Sequence, residues 1–99
     1  MRLRYTLPAL ADLSAALDYI AIQSPQGARR VQACIKAITD LLPLHPYIGR
    51  RTNDPAIRRA VATPYPYLIF YEVTDSEVII HAIRHGARDP SSMPGVGAR

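Results

Sequence analysis

The chain has 99 residues, enough for one hydrophobic core and too few for two. Its 48% hydrophobic and 20% charged residues are the proportions of a folded globular chain, which excludes an extended, disordered one. The net charge of +4 comes from eleven arginines and one lysine, Lys36, and it is unevenly placed. Residues 50–59 hold Arg50, Arg51, Arg58 and Arg59 against Asp54, net +3, and residues 84–99 hold Arg84, Arg88 and Arg99 against Asp89, net +2. A basic second half suits an anionic partner, either a nucleic acid or an acidic protein segment. A membrane span needs about 20 apolar residues in a row, and the longest uncharged run, Ala60 to Tyr71, is broken by Pro64 and Pro66. No basic-then-apolar leader opens the chain, so the cytoplasm is the expected compartment. The single cysteine, Cys34, excludes an internal disulfide and a multi-thiolate metal site; no metal or cofactor is expected.

In chain order, Arg2 to Thr6 alternates, with Leu3 and Tyr5 on one face, as in a short half-buried strand. Thr6 can cap a helix whose first turn holds Pro8. Ala9, Leu13, Ala16, Leu17 and Ile20 recur at helical spacing. Ser24-Pro25 offers a second cap and first-turn proline. A second stripe follows in Val31, Cys34, Ile35, Ile38, Leu41 and Leu42, ended by Pro43 and Pro46. The period then changes to two. Ile57 to Thr63 reads as a strand, Pro64 and Pro66 as a turn, and Tyr67–Thr74 with Glu77–Arg84 as a hairpin about Asp75-Ser76. The predicted fold is α+β in the order β-α-α-β-β-β, with a two-helix hairpin on one face of an antiparallel sheet.

Pairing Val73 with Val78 puts Tyr67, Ile69, Tyr71, Val73, Val78, Ile80 and Ala82 on one face of the hairpin. The other face collects Leu68, Phe70, Glu72, Glu77, Ile79, His81, Ile83 and His85. A sheet covered by helices on one side alone should be polar on the other, yet this face is apolar at its centre. Burying three or four such side chains contributes roughly 1.5–3 kcal/mol each. A partner is therefore expected to cover this face; the alternative is that the loop at residues 43–56 or the tail folds over it. On the first view, Phe70→Asp or Ile83→Asp should weaken partner binding and leave the fold intact.

Several segments in this order resemble the RelE/ParE superfamily of bacterial type II toxin–antitoxin systems. They are Asp12-Leu13 and Tyr19-Ile20 in the first helix, His45-Pro46, Gly49-Arg50-Arg51, Ile57-Arg58-Arg59, Pro64 to Val73 and Ile80 to Pro90. The resemblance implies one toxin domain over residues 1–90, followed by a flexible tail at 91–99, and a cognate antitoxin that folds around the toxin. The expected antitoxin contacts are Leu68, Phe70, Ile79, His81 and Ile83 on the open face, with Arg50, Arg51, Arg58 and Arg59 steering an acidic segment. ParE-like members poison DNA gyrase; RelE-like members cut mRNA on the ribosome. RelE-like toxins place an arginine where this chain has Leu68 and often use a late tyrosine, whereas no tyrosine follows Tyr71. Val61 stands where a second basic residue of the ribonuclease type would follow Arg59.

The chain is therefore read as closer to ParE, with Arg84, His85 and Arg88 as expected target contacts and no catalytic role required. The alternatives are a ribosome-dependent endonuclease and a toxin fold that only binds its antitoxin. RNA cleavage by a 2′-hydroxyl needs a base, a cation and an acid. For that chemistry the candidates are His85 as base, the imidazole being the side chain that exchanges protons near neutral pH, with Arg59, Arg84 and Arg88 stabilising charge. Glu72 and His81 complete the titratable candidates. His81 and His85 lie four residues apart on one strand, roughly 13 Å, too far to share a metal ion. Cys34, Tyr67 and Tyr71 read as core.

Overall fold

The computed structural model describes residues 1–87. Strand β1 (Arg2–Tyr5) leads through Thr6 into helix α1 (Leu7–Gln23), and Ser24 joins it to helix α2 (Pro25–Leu41). Both caps act as the sequence indicates. The Thr6 hydroxyl accepts from Ala9 N–H at 3.1 Å and the Ser24 hydroxyl from Gly27 N–H at 2.9 Å, each with a proline in the first turn. Strands β2 (Arg50–Arg51), β3 (Arg58–Val61), β4 (Tyr67–Val73) and β5 (Glu77–His85) follow. The two-residue strand β2 escaped the sequence reading because it is too short to show alternation.

The sheet order is β1-β5-β4-β3-β2. β2 to β5 form an antiparallel meander, and β1 lies parallel to β5, with Leu3 beside Val78 and Tyr5 beside Ile80. The architecture is thus α+β with two helices against the sheet, and the sheet is mixed where a purely antiparallel one was expected. Nothing local to Arg2–Tyr5 encodes that difference, which depends on where the meander ends. The main core joins the helices to the inner face of the sheet through Val31, Ile35, Leu42, Ile69, Tyr71, Val78 and Ile80.

The hairpin keeps the expected register at its tip, Val73 opposite Val78. Further along, Tyr71 pairs with Ile80 but Phe70 pairs with Ala82, so His81 is an extra residue in β5. One extra residue inverts the alternation beyond it. Ile83 therefore lies opposite Ile69 in the main core, and Ala82 lies beside Phe70 on the outer face, the reverse of the sequence assignment.

The outer face is not left to a partner alone. Ile57 lies over Phe70, Ala82 and Leu68, and Phe70 is completely buried. Turn contacts hold Ile57 there: its N–H donates to Asp54 O at 3.0 Å, and Ala56 N–H donates to the Asp54 carboxylate at 2.9 Å. Of the five residues expected on an open face, Ile83 belongs to the main core, Phe70 to this small second core, and Ile79 is buried. Leu68 and His81 are half-buried.

Candidate functional site: a basic corner and the end of the last strand

Helix α2 stops at Leu41, and Pro43 and Pro46 turn the chain toward β2. The loop is fixed from beneath by Tyr71, whose side chain is buried in the core. Its hydroxyl donates to Pro46 O at 2.8 Å and accepts from Gly49 N–H at 2.9 Å. Arg58 closes the loop from the side: Nη1 donates to Gly49 O at 2.8 Å, and the guanidinium lies over the Tyr47 ring, 4.9 Å from its centroid. Sequence reasoning missed this lock. Its signals were a glycine three residues after His45-Pro46 and a polar-tipped tyrosine at the centre of an apolar strand.

Burial pushes the Tyr71 hydroxyl above its ordinary value of 10.0, opposed by the Gly49 N–H and by the Arg58 charge. A group whose pKa is raised on folding stabilises the fold below its unfolded value, and that contribution is lost as pH rises through the folded value. We therefore expect the urea midpoint to fall more steeply above pH 10 in the parent protein than in Tyr71→Phe. Equal slopes for the two proteins would count against it.

Strands β2 and β3 then set four arginines side by side, Arg50 opposite Arg59 and Arg51 opposite Arg58. Arg58 is occupied by the loop carbonyls, whereas Arg50 and Arg51 are exposed. Arg59 is half-buried, and its Nε is buried without a hydrogen-bond partner. Around them Leu41, Leu44, Tyr47, Ile48 and Val61 are exposed. A groove lined by Ile38, Leu41, Ile48, Arg50, Arg59 and Val61 runs between α2 and the sheet edge. The corner is thus an apolar cleft with cations at its rim, a surface that fits an acidic, partly apolar segment.

The second cluster lies at the end of β5. β1 stops opposite Ile80, which leaves the following stretch of β5 without a strand neighbour on that side. Asp12 of α1 takes that place: its carboxylate accepts Ile83 N–H at 3.1 Å and pairs with the Arg84 guanidinium. His85 stands edge-on to Tyr67 with ring centroids 5.3 Å apart, and its Nδ1 accepts Ala87 N–H at 3.2 Å. His81 points the other way and pairs with Glu72 at 2.8 Å on the outer face. Arg88, the remaining candidate, lies outside the described residues.

The model of the ParE toxin of type II toxin–antitoxin systems matches residues 3–90. The chain belongs to this family. Toxin RelE2 of Caulobacter vibrioides is 43% identical over 84 residues, which cover 85% of this chain and 93% of that protein. Putative toxin Y4kP of Sinorhizobium fredii is 36% identical over 84 residues, covering 82% and 88%. A solved structure of the chromosomal ParDE system from P. aeruginosa superposes with a TM-score of 0.73 at 25% identity, covering 86% of this chain and 95% of that one. This is a toxin of the RelE/ParE superfamily, and a type II system implies an antitoxin partner.

In this ParE-family toxin two of the described candidates for RNA chemistry, Arg59 and His85, do not converge. By register Arg59 lies opposite Phe70 on the outer face, and His85 lies opposite Tyr67 on the inner one. Three residues along the strands and two strand spacings separate their backbones by about 14 Å. The Arg84 charge is held by Asp12. Among the described residues no group of three or more His, Cys, Asp or Glu side chains could hold a metal ion, and no helix is long and apolar enough to cross a membrane. Cys34 packs beside the main core, its Sγ 3.4 Å from Ala62 O. Tyr67 and Tyr71 are core residues.

Proposed function

We propose that the chain stops bacterial growth in the cytoplasm by binding DNA gyrase, without chemistry of its own, and that a cognate antitoxin silences it. The observation that carries this reading is that, among the described residues, the candidate base His85 stands about 14 Å from Arg59 across the sheet while Asp12 holds the Arg84 charge. The ParE family model and the ParDE neighbour support the same branch. The end of β5, with Arg84, His85 and the following Arg88, is the proposed target contact. The basic corner is the proposed antitoxin dock: Arg50 and Arg51 steer an acidic segment, and the cleft between Leu41, Ile48 and Val61 takes its apolar side chains.

The relative named Toxin RelE2 favours a second reading, a ribosome-dependent endonuclease. Purified toxin in a gyrase supercoiling reaction separates the two. Inhibition at near-stoichiometric toxin, with transcripts left intact in cells, is the expected result. Unimpaired gyrase at large molar excess would overturn it. Codon-positioned breaks in translated mRNA that vanish on Arg59→Ala and His85→Ala would then establish the endonuclease.

A further inference from the structure

Helix α1 stands beside the last strand where a strand neighbour is lacking. β1 follows β5 only as far as Tyr5 opposite Ile80, and Thr6 N–H then donates to Ile80 O at 3.0 Å. Further along, Asp12 Oδ2 accepts Ile83 N–H at 3.1 Å, and the same oxygen takes Nη1 of Arg84. Asp12 precedes Leu13, which packs on the main core, so burial of the helix fixes where the carboxylate stands. The bulge decides which side chain it meets. In an unbroken alternation Arg84 would point under the helices; the extra residue at His81 sends Ile83 there and puts Arg84 opposite Leu68. The guanidinium therefore lies at the strand edge, against the oxygen that holds the Ile83 N–H.

We propose that Asp12 is a positioning residue of the toxin, which fixes the Arg84 guanidinium in the orientation that meets the target. The side chains are 24% and 32% exposed, so the pair is screened less than one standing free in solvent. Among the described residues the contacts of Arg84 use Nη1 alone. A guanidinium carries further N–H donors in the same rigid plane, so anchoring one corner sets where the others point. Asp12 also balances the charge. Arg84 then acts through directed hydrogen bonds to a carboxylate or carbonyl of a protein target, more than through long-range attraction. Ordering a long side chain only on binding weakens a complex about two- to tenfold, and the anchor removes that cost. The inference rests on the reading of the end of β5 as the target contact, whichever protein the target is.

Asp12→Asn isolates the effect, because its amide oxygen still accepts Ile83 N–H while the charge that holds Arg84 is gone. Growth inhibition would be scored over graded induction, at toxin levels matched by immunoblot. Asp12→Asn should need about two- to tenfold more toxin for the same inhibition, and Arg84→Gln about tenfold more. In the Arg84→Gln background, Asp12→Asn should change nothing further. On the purified full chain, NMR relaxation should show the Arg84 Nε–H rigid in the parent and mobile in Asp12→Asn. The Ile83 amide should stay protected from exchange in both, with melting curves showing the variants folded. A mobile Arg84 Nε–H in the parent would overturn the inference. So would full toxicity of Asp12→Asn beside an attenuated Arg84→Gln, or an Asp12→Asn loss that persists without Arg84; the target contact itself would survive both results. Toxicity indifferent to Arg84→Gln, or absent from the parent, would overturn the target reading and the inference together.

Discussion

Phe70→Asp is expected to unfold the protein, not to release a partner. Phe70 lies on the face of the sheet turned away from the helices, yet it is completely buried under Ile57 and beside Ala82. Truncating such a ring costs about 3–5 kcal/mol, and burying an unpaired carboxylate there adds several more. The sum approaches the roughly 5–15 kcal/mol that holds a whole domain together. Ile83→Asp should behave in the same way, because the extra residue at His81 turns Ile83 into the main core. Leu68→Asp is the control: Leu68 is half-buried at the rim of the small core, and its variant should keep a cooperative melt. Circular dichroism melts decide the matter. A folded Phe70→Asp protein with weakened antitoxin binding would mean that Ile57 does not cover this face.

Gly49→Ala is the second substitution expected to have a large effect, and it acts on the basic corner. A methyl group at position 49 would stand 2.5 Å from the Tyr71 hydroxyl, 2.7 Å from its Cε1 and 3.0 Å from Arg59 O. The ring cannot yield cheaply, since it is buried in the core and its hydroxyl is tied to Pro46 and Gly49. Overpacking costs about 1–3 kcal/mol, and breaking the hydroxyl bridge to the buried Gly49 N–H costs about 1–3 kcal/mol more. We expect Gly49→Ala to lower the unfolding free energy by about 2–6 kcal/mol and to loosen the loop that presents Arg50 and Arg51. Removing the hydroxyl should relieve the shortest of these contacts and leave the one to Cε1. In a double-mutant cycle with Tyr71→Phe, Gly49→Ala should therefore cost less than it does alone. Additive losses would show that the two residues are not coupled as the geometry demands.

Much of the fold was legible because local chemistry specifies it. Thr6 and Ser24, each followed by a proline in the first turn, marked both helix starts, and the alternation around Asp75-Ser76 gave the hairpin register at Val73 and Val78. The bulge was hidden for a physical reason. Ile79, Ile80, Ala82 and Ile83 are apolar in either register, so slipping by one residue breaks no pattern that a reader could detect. Ile57 over Phe70 and Asp12 on Arg84 join residues far apart in sequence, and no short motif announces either contact. The Tyr71–Gly49 lock is of the same kind.

The same distinction holds for the site. The basic stretch at residues 50–59 was visible as charge, and the structure adds that Arg58 is spent on the loop while Arg50 and Arg51 face solvent. The apolar half of that corner comes from residues the sequence reading had not marked for a partner, among them Leu44, Tyr47 and Ile48. They fell in a proline-interrupted loop with no period to reveal a shared face. The sequence also marked Arg84 and His85 at the end of β5, where the structure sends Arg84 to Asp12 and His85 to Tyr67. That Asp12 holds the arginine there depends on β1 stopping short, which is a matter of topology.

The central claim, that growth stops at replication through a protein contact, is tested most directly in cells. Labelled thymidine and labelled methionine would be followed over the first minutes after this chain alone is induced. The account predicts that thymidine incorporation falls first while methionine incorporation continues. Methionine incorporation falling first would contradict it and place the target at the ribosome.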